Sequence, residues 1–410
     1  MNTFNLKTFP IEKKTVFLRV DYNVPVEDGQ VTDHSKIRSS LPTIKFLLEK
    51  KCKIVLGFHL GRPGGKVVPE LKADPLAQEL QRLLPKEKII KLNDCIGKDI
   101  KTEIAIGSYG KIFVLENLRF YKEEEKNNLA FAHSLASLAH VYVNEAFSNS
   151  HRRHASMEAI TNFLPAMAGF QLEQEVHYLN QALKPKQPAV WIIGGAKLDK
   201  VKLIKQALNK ASKVLIGGAL AFPFLRAKGI KVGNSKVDPE SIRLAKKLLS
   251  RKSNRKKIVL PLDFVVAEKL APRAAIKIVD YNQIQINQVG LDIGPKTIEM
   301  FKQYLVAAKT IVWNGPLGRY EWAQFARGTK EIGRFLGRIE GMKICGGGET
   351  AEAVNKFHLA HNFTHVSTGG GAALMFLSGE KLPALAALEQ NYKKFRKKVG
   401  FNRSKWLGIF

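Results

Sequence analysis

Short apolar runs and helical stretches alternate along most of the chain. The runs are Val16–Val20, Lys53–Phe58, Lys111–Leu115, Val141–Asn144, Val190–Ile193, Val214–Ile216, Ile258–Leu262, Thr310–Trp313, Met342–Cys345 and His365–Ser367, rich in β-branched residues. Between them lie segments of helical period, such as Pro75–Leu84 and Val201–Lys213. This alternation predicts parallel sheets flanked by helices. No period of about 20–50 residues suggests a solenoid. A polar stretch, Gln171–Leu183, carries Leu172, Val176, Leu179 and Leu183 on one face and reads as a connecting helix; Pro185 and Pro188 separate it from the next strand. The expected fold is α/β, with two parallel-sheet three-layer (αβα) domains joined by a hinge helix. The expected boundaries are 1–170, a hinge at 171–185, 186–375, and a segment 376–410 that returns to the first domain with a basic tail.

The loops after the strands differ between the halves. The first half carries Arg, His, Asp and Asn: Asp21-Tyr22-Asn23, His59-Leu60-Gly61-Arg62, Glu116–Arg119 and His151–His154. The second half carries glycines: Gly194-Gly195, Gly217-Gly218, Gly346–Gly348 and Gly369–Gly371. Ligands of open α/β sheets bind at the carboxyl ends of strands. Two ligand surfaces are therefore expected, one cationic and one rich in bare backbone.

Charge sharpens that picture. Lys and Arg number 66 against 36 Asp and Glu, a formal +30, in a chain whose 45% apolar and 25% charged content is ordinary for a globular protein. Such a field attracts anions, and three readings stand: a phosphate site, a cationic coat over the whole surface, or nucleic-acid binding. The last 20 residues hold seven Lys or Arg, no acid, and the aromatics Phe395, Phe401, Trp406 and Phe410. Cys52, Cys95 and Cys345 stand alone, without zinc spacing, as suits reduced thiols. The N-terminal residues lack a signal-peptide core. The apolar stretches fall short of the roughly 18 residues a membrane helix needs. A cytoplasmic protein with no membrane span is expected.

The chemistry is read from the loops. Glycine clusters let backbone N–H groups approach phosphate, or simply make tight turns; four clusters in one half favour a nucleotide site. Neither a P-loop nor a dinucleotide fingerprint is present. Lys197 and Lys200, after Gly194-Gly195, reach phosphates or face solvent. Glu349, at a helix start, caps that helix or holds Mg²⁺. Arg38, Arg62, Arg119 and Arg152 suit a carboxylate or phosphate if they converge. His59 and His151 stay unassigned on spacing alone. No candidate nucleophile stands out, which suits direct phosphoryl transfer.

Taken in order, these segments resemble the phosphoglycerate kinase family over roughly residues 4–388. The motifs are Arg19–Pro25, His59-Leu60-Gly61-Arg62-Pro63, Glu116–Phe120, Asn144–Phe147 with His154-Ala155-Ser156, Gly194–Lys197, Leu260–Phe264, Asp292–Thr297, Val312–Pro316, Gly346–Thr350 and Ser367–Ala372. The resemblance implies Mg²⁺-dependent, reversible transfer between ATP and 3-phosphoglycerate, giving ADP and 1,3-bisphosphoglycerate, in a monomer whose domains close about the hinge. It implies a triose site of Asp21, Asn23, Arg38, His59, Leu60, Gly61, Arg62, Arg119 and Arg152. It implies a nucleotide site of Lys197, Lys200, Gly218, Asn314, Glu321, Gly347, Gly348, Glu349 and Thr350, with Glu321 on the ribose and Glu349 on Mg²⁺. Arg38, Lys197 and Lys200 would neutralise the moving phosphoryl group. The chain departs from the family pattern at Glu349 and Glu145, where Asp is usual. It also departs at the lysine pair, three apart instead of four, and at Ala219 and Pro223, where Gly and Thr are usual. Pro223 fits only a first helical turn. A degenerate kinase fold that binds nucleic acid is the alternative.

Overall fold

The computed structural model describes residues 2–195 and 200–397. Two compact units form: Met1–Glu175 together with the chain from Lys381 onward, and Val176–Glu380. The helix Phe170–Leu183 runs out of the first unit and into the second.

The first unit is built on six parallel strands in the spatial order Ile89–Lys91, Ile112–Val114, Lys53–Gly57, Thr15–Arg19, Val141–Asn144, Ala166–Ala168. The central three are buried along their whole length, as a strand covered on both faces must be. Their side chains join a core with helices Ser35–Glu49 and Asp74–Leu83. The edge strand Ala166–Ala168 is covered by the C-terminal helix Pro383–Phe395. There Asn391 accepts from the Ala166 N–H (2.8 Å) and donates to the Thr161 and Leu164 carbonyls (2.6 and 2.7 Å). That cover removes an edge open to foreign strands. Residues 398–410, with Phe401, Trp406 and Phe410, lie outside the described residues.

The second unit has its own six parallel strands, in the order Ile258–Val259, Lys213–Ile216, Ala189–Ile193, Thr310–Asn314, Met342–Cys345, His365–Val366. In sequence rank this order is 3-2-1-4-5-6, the doubly wound arrangement of mononucleotide folds. One expectation needs correcting. Ile258–Leu262 is not one strand: Pro261 has no N–H to give a ladder, and pairing stops at Val259. The chain then enters a separate antiparallel sheet, Ile276–Asp280, Asp263–Ala267, Val289–Ile293, which strand–helix alternation did not foretell. Pro223 lies in the first turn of helix Ala221–Ala227, the one place its ring is tolerated.

A buried carboxyl seats the helix between the units. Glu145 follows the strand Val141–Asn144. Its Oε1 accepts the Thr43 hydroxyl (2.7 Å) and the Gln171 N–H (3.1 Å), and the Thr43 oxygen takes the Phe170 N–H (3.0 Å). Two of the first N–H groups of helix Phe170–Leu183, which have no partner inside the helix, are satisfied this way. Glu145 Oε2 has no hydrogen-bond partner among the described residues and packs on Gly169, where a Cβ would lie 1.7 Å from it. Burial pushes the Glu145 carboxyl up to about 8. A carboxyl raised this way keeps its proton in the folded state and loses it in the unfolded state between about pH 4.5 and 8, so stability falls as pH rises through that window. Glu145→Gln is expected to flatten the decline in unfolding free energy between pH 6 and 9 by roughly 2–4 kcal/mol, measured by urea melts across pH. A decline remains from Asp292, which burial also pushes up to about 8.

Candidate active site

In the first unit the strand order reverses between Thr15–Arg19 and Val141–Asn144. The loops leaving these strands meet at Asp21, whose carboxylate accepts from the Ser148 hydroxyl and pairs with Lys36 at 2.9 Å. Burial works against ionisation of Asp21, but Lys36 and Ser148 outweigh it and hold the carboxyl below its ordinary range. Asn23 orders the neighbouring loop, its Oδ1 accepting the Gly61 N–H at 2.9 Å. Gly61 has a φ of +62°, and a Cβ there would lie 2.8 Å from Leu71, so both conformation and space call for glycine. Leu60 is clamped through its own backbone by the Asn117 side chain (3.2 and 2.8 Å).

Behind these loops lies a fully buried cation. Arg19 donates from Nε to the Ser156 hydroxyl (2.8 Å) and from Nη1 to the Val20 carbonyl. Ser156 in turn gives its O–H and N–H to Glu124 (2.6 and 2.9 Å), the buried counter-ion. Arg19 Nη2 lies 3.3 Å from His59 Nδ1. A guanidinium has no acceptor, so Nδ1 must accept and the His59 proton sits on Nε2. Burial, then Arg19, Arg119 and Arg152, hold His59 well below its ordinary pKa; the same causes take His154 to about 3. Both histidines are thus neutral hydrogen-bonding groups at pH 7.

Arg119 and Arg152 complete the cluster. Arg119 is buried, donates from Nη1 to the Gly61 carbonyl (2.8 Å) and faces Glu125 at 3.1 Å. Burial, and next the positive charge of Arg152, lower its pKa. Arg152 reaches His151 with Nε at 3.4 Å, while its Nη1 is enclosed with no partner among the described residues. An enclosed cationic N–H without an acceptor, among like charges, is a group awaiting an anion. Two further expected triose residues are exposed. Arg62 is exposed on its loop. Arg38, exposed on helix Ser35–Glu49, lines an open cleft with His34, Gln78 and Arg82.

In the second unit the reversal falls between Ala189–Ile193 and Thr310–Asn314. The Gly194 N–H donates to the Asn314 carbonyl (2.9 Å) and the Gly195 N–H to the Pro316 carbonyl (2.8 Å). A Cβ on Gly194 would lie 2.1 Å from the Pro316 oxygen, and one on Gly315 2.2 Å from the Gly194 oxygen. Glycine is required on both sides because two backbones touch. Gly218, at φ +57°, packs beneath them, where a Cβ would lie 2.8 Å from the Gly195 nitrogen.

Above this floor opens a cleft of about 410 Å³, lined by Lys200, Asn314, Gly347–Thr350, Glu352, Gly370 and Gly371. Two helices start at it, Gly348–Lys356 and Gly370–Leu377, both without a side-chain cap, so N–H groups and the positive helix end face the opening. Thr350 ties the cleft together, accepting the Gly315 N–H (2.6 Å) and donating to the Gly346 carbonyl (3.1 Å). Asn314 donates to the same carbonyl at 2.8 Å. Lys200 is the residue before helix Val201–Lys210 rather than part of it. It is buried, and its Nζ donates to the Gly194 carbonyl at 2.7 Å. Glu349 points the same way: a Cβ on Gly195 would lie 2.8 Å from Lys200 Nζ and 3.3 Å from Glu349 Oε2. Lys197 lies outside the described residues. Glu321 is exposed, does not line this cleft, and accepts from Lys356 through its carbonyl (3.1 Å).

Two acids, Glu124 and Glu352, escaped the sequence reading, and Arg19 and Ser156 were read only as motif members without a role. Arg19, Ser156 and Glu124 form the buried pair and its bridge; the signal was a charged residue closing an otherwise apolar run. Glu352 lines the cleft three residues after Glu349, a spacing that puts both on one helix face.

A family model for phosphoglycerate kinase matches residues 6–380. The chain is 44% identical over 393 residues to a phosphoglycerate kinase of Moorella thermoacetica, covering 95% of this chain and all of the relative. It is 43% identical over 398 residues to that of Pseudothermotoga lettingae, covering 96% and 100%. Its fold is similar to the phosphoglycerate kinase structure from Coxiella burnetii, with TM-score 0.86, 32% identity and coverage of 95% and 99%. It is similar also to that from Pyrococcus horikoshii, with TM-score 0.83, 32% identity and coverage of 96% and 100%. With a glycine-floored cleft at one switch point and an arginine cluster at the other, matched over nearly its full length, the chain belongs to the phosphoglycerate kinase family.

Proposed function

We propose that the chain catalyses reversible phosphoryl transfer between ATP and 3-phosphoglycerate, and that its two units divide the reactants. The observation that carries this reading is that each unit presents an anion site at the carboxyl end of its parallel sheet. The arginine cluster suits a small acid bearing a carboxylate and a phosphate. The second cleft, floored by glycine backbone and headed by helix N-termini, suits a nucleotide's phosphates.

The residues divide the work accordingly. Arg119 and Arg152 hold the anionic triose by forked, charge-assisted hydrogen bonds. His59 donates from Nε2, and Asp21 and Asn23 orient the hydroxyl side. The N–H groups at Gly348–Thr350 and Gly370-Gly371 hold nucleotide phosphates, and Lys200 neutralises the moving group. Arg38, Arg62 and Lys197 belong to this set on family resemblance, as does Glu321 for the ribose. A carboxylate oxygen of 3-phosphoglycerate attacks the γ-phosphorus, the bond to the bridging oxygen breaks, and ADP leaves. No base is needed, because the acceptor carries no proton. Helix Phe170–Leu183 is the proposed hinge.

Glu349 and Glu352 fit Mg²⁺. They are hard oxygen donors on one helix face at the cleft, and no cluster of three or more His, Cys, Asp or Glu forms a full metal cage among the described residues. Mg²⁺ would be held by Glu349 and the nucleotide, and its charge offsets that of the phosphates. A monomer in the cytoplasm is the proposed setting. The three cysteines are buried and form no disulfide, and no helix of the described residues is long and apolar enough to cross a membrane.

Three outcomes are expected in a coupled assay with 3-phosphoglycerate, ATP and Mg²⁺. Lys200→Ala lowers kcat by on the order of a hundredfold or more with the thermal midpoint within a few degrees of the parent; retained turnover would remove Lys200 from the reaction. Arg152→Ala raises KM for 3-phosphoglycerate at least about tenfold and leaves KM for ATP unchanged; equal changes in both would contradict the division of reactants. Glu349→Ala raises the Mg²⁺ concentration needed for half-maximal rate, whereas Glu349→Asp keeps it near the parent value. An unaltered Mg²⁺ dependence in Glu349→Ala would sink the metal assignment.

A further inference from the structure

A second cationic concavity lies along one edge of the second sheet. It is a groove of about 830 Å³ beside the edge strand Ile258–Val259. Lys213, which lines it, is the first residue of its strand, and Tyr304 and Ala227 close helices that run back from the strands' carboxyl ends. The groove therefore runs along the edge of the sheet, from the amino end at Lys213 past the end of the edge strand at Leu260–Leu262, and shares no lining residue with the nucleotide cleft. Its floor is apolar, with Leu225, Leu249 and Ile258. Tyr281 and Tyr304, both half-buried, line it as well. Its cations are Lys213, Lys228, Lys246, Arg255 and Lys256, and no acid lines it.

The charge is local. Residues 243–257 hold eight Lys or Arg and no Asp or Glu, that is 8 of 15 positions against 66 of 410 in the whole chain. A uniform coat would place two or three there. Lys213 donates to the Lys256 carbonyl (2.9 Å) and stands 5.4 Å over the Tyr304 ring. Lys228, Lys246, Arg255 and Lys256 have no ion-pair partner among the described residues, and no acid stands among the groove's lining residues to supply one. Concentrated, unpaired positive charge above an apolar floor with two aromatic rings describes a ligand that is both polyanionic and flat-faced.

We infer that this groove binds single-stranded nucleic acid, with phosphates along Lys246, Arg255 and Lys256 and bases against Tyr281, Tyr304 and the apolar floor. Positive grooves that track the backbone, with aromatic side chains on which bases stack, hold single strands without reading sequence. An acidic peptide would satisfy the rim and leave the apolar floor and the Tyr281 ring unused, and a duplex keeps its bases stacked on one another.

Fluorescence anisotropy of a labelled 20-nucleotide oligouridylate with the full chain tests this. The triple variant Lys246→Glu/Arg255→Glu/Lys256→Glu is expected to bind at least about tenfold more weakly and to lose about two units of salt slope, near 0.7 per phosphate contact. A control triple with the same change in net charge, Lys86→Glu/Lys88→Glu/Lys101→Glu, is expected to keep most of the affinity. Tyr281→Ala/Tyr304→Ala should weaken binding by about tenfold with the slope unchanged. Saturating ADP should not displace the oligonucleotide, and all variants should keep kinase turnover, which reports an intact fold. Equal losses in the two triples, displacement by ADP, absence of binding by the parent protein, or equally tight binding of a polyglutamate of the same length would each overturn the inference.

Discussion

When the connections of a parallel sheet run to one side of a strand and then to the other, the loops leaving two adjacent strands part and leave a crevice at their carboxyl ends. Both sheets of this protein reverse in that way, the first beside Thr15–Arg19 and the second beside Ala189–Ile193. The two proposed reactant sites hang on how those two crevices are filled. In the second, side chains are removed: Gly194 and Gly315 let backbone meet backbone, and the crevice is faced with N–H groups. In the first, side chains are added, and they are cations.

Filling a crevice with guanidinium groups is costly unless the charges are held apart and partly answered. The first unit answers only one, pairing Arg19 with Glu124 through Ser156. Arg119 is met halfway by Glu125 and the Gly61 carbonyl, and Arg152 keeps an enclosed N–H without an acceptor. Burial, reinforced by the same field, keeps the two histidines neutral, which spares the site two further cations. In the proposed reaction, the triose would supply the missing negative charge. In the second crevice the balance is reversed: helix ends and Lys200 supply positive potential beside Glu349, which suits the proposed phosphate chain and its divalent cation.

Ten of the twelve parallel strands were legible because apolar β-branched runs bounded by loops leave little choice of element; the three-residue strands Ile89–Lys91 and Ala166–Ala168 were too short to stand out. The antiparallel sheet was not. Its outer strand, Ile276–Asp280, is exposed on three of five residues and lacks the apolar run that marks a buried strand. The glycine clusters were legible as a class, since several bare turns after strands have few other uses. Arg119 and Arg152 were legible as types, whereas their convergence depends on loops 30 residues apart and had to be seen. Lys200 shows the limit of helical arithmetic: spacing put it on a helix face, and the fold buries it before the helix begins, against a carbonyl it anchors.

The claim that each unit holds one reactant at its own switch point is most directly tested by amide chemical shifts of the isotope-labelled protein, titrated with 3-phosphoglycerate alone and with ADP alone. The account predicts that 3-phosphoglycerate moves the signals of residues 59–62, 119 and 148–154 and leaves 346–350 and 369–371 in place, and that ADP does the reverse. Shifts from 3-phosphoglycerate centred on Gly347–Thr350, or from ADP centred on the Arg119 and Arg152 loops, would contradict it.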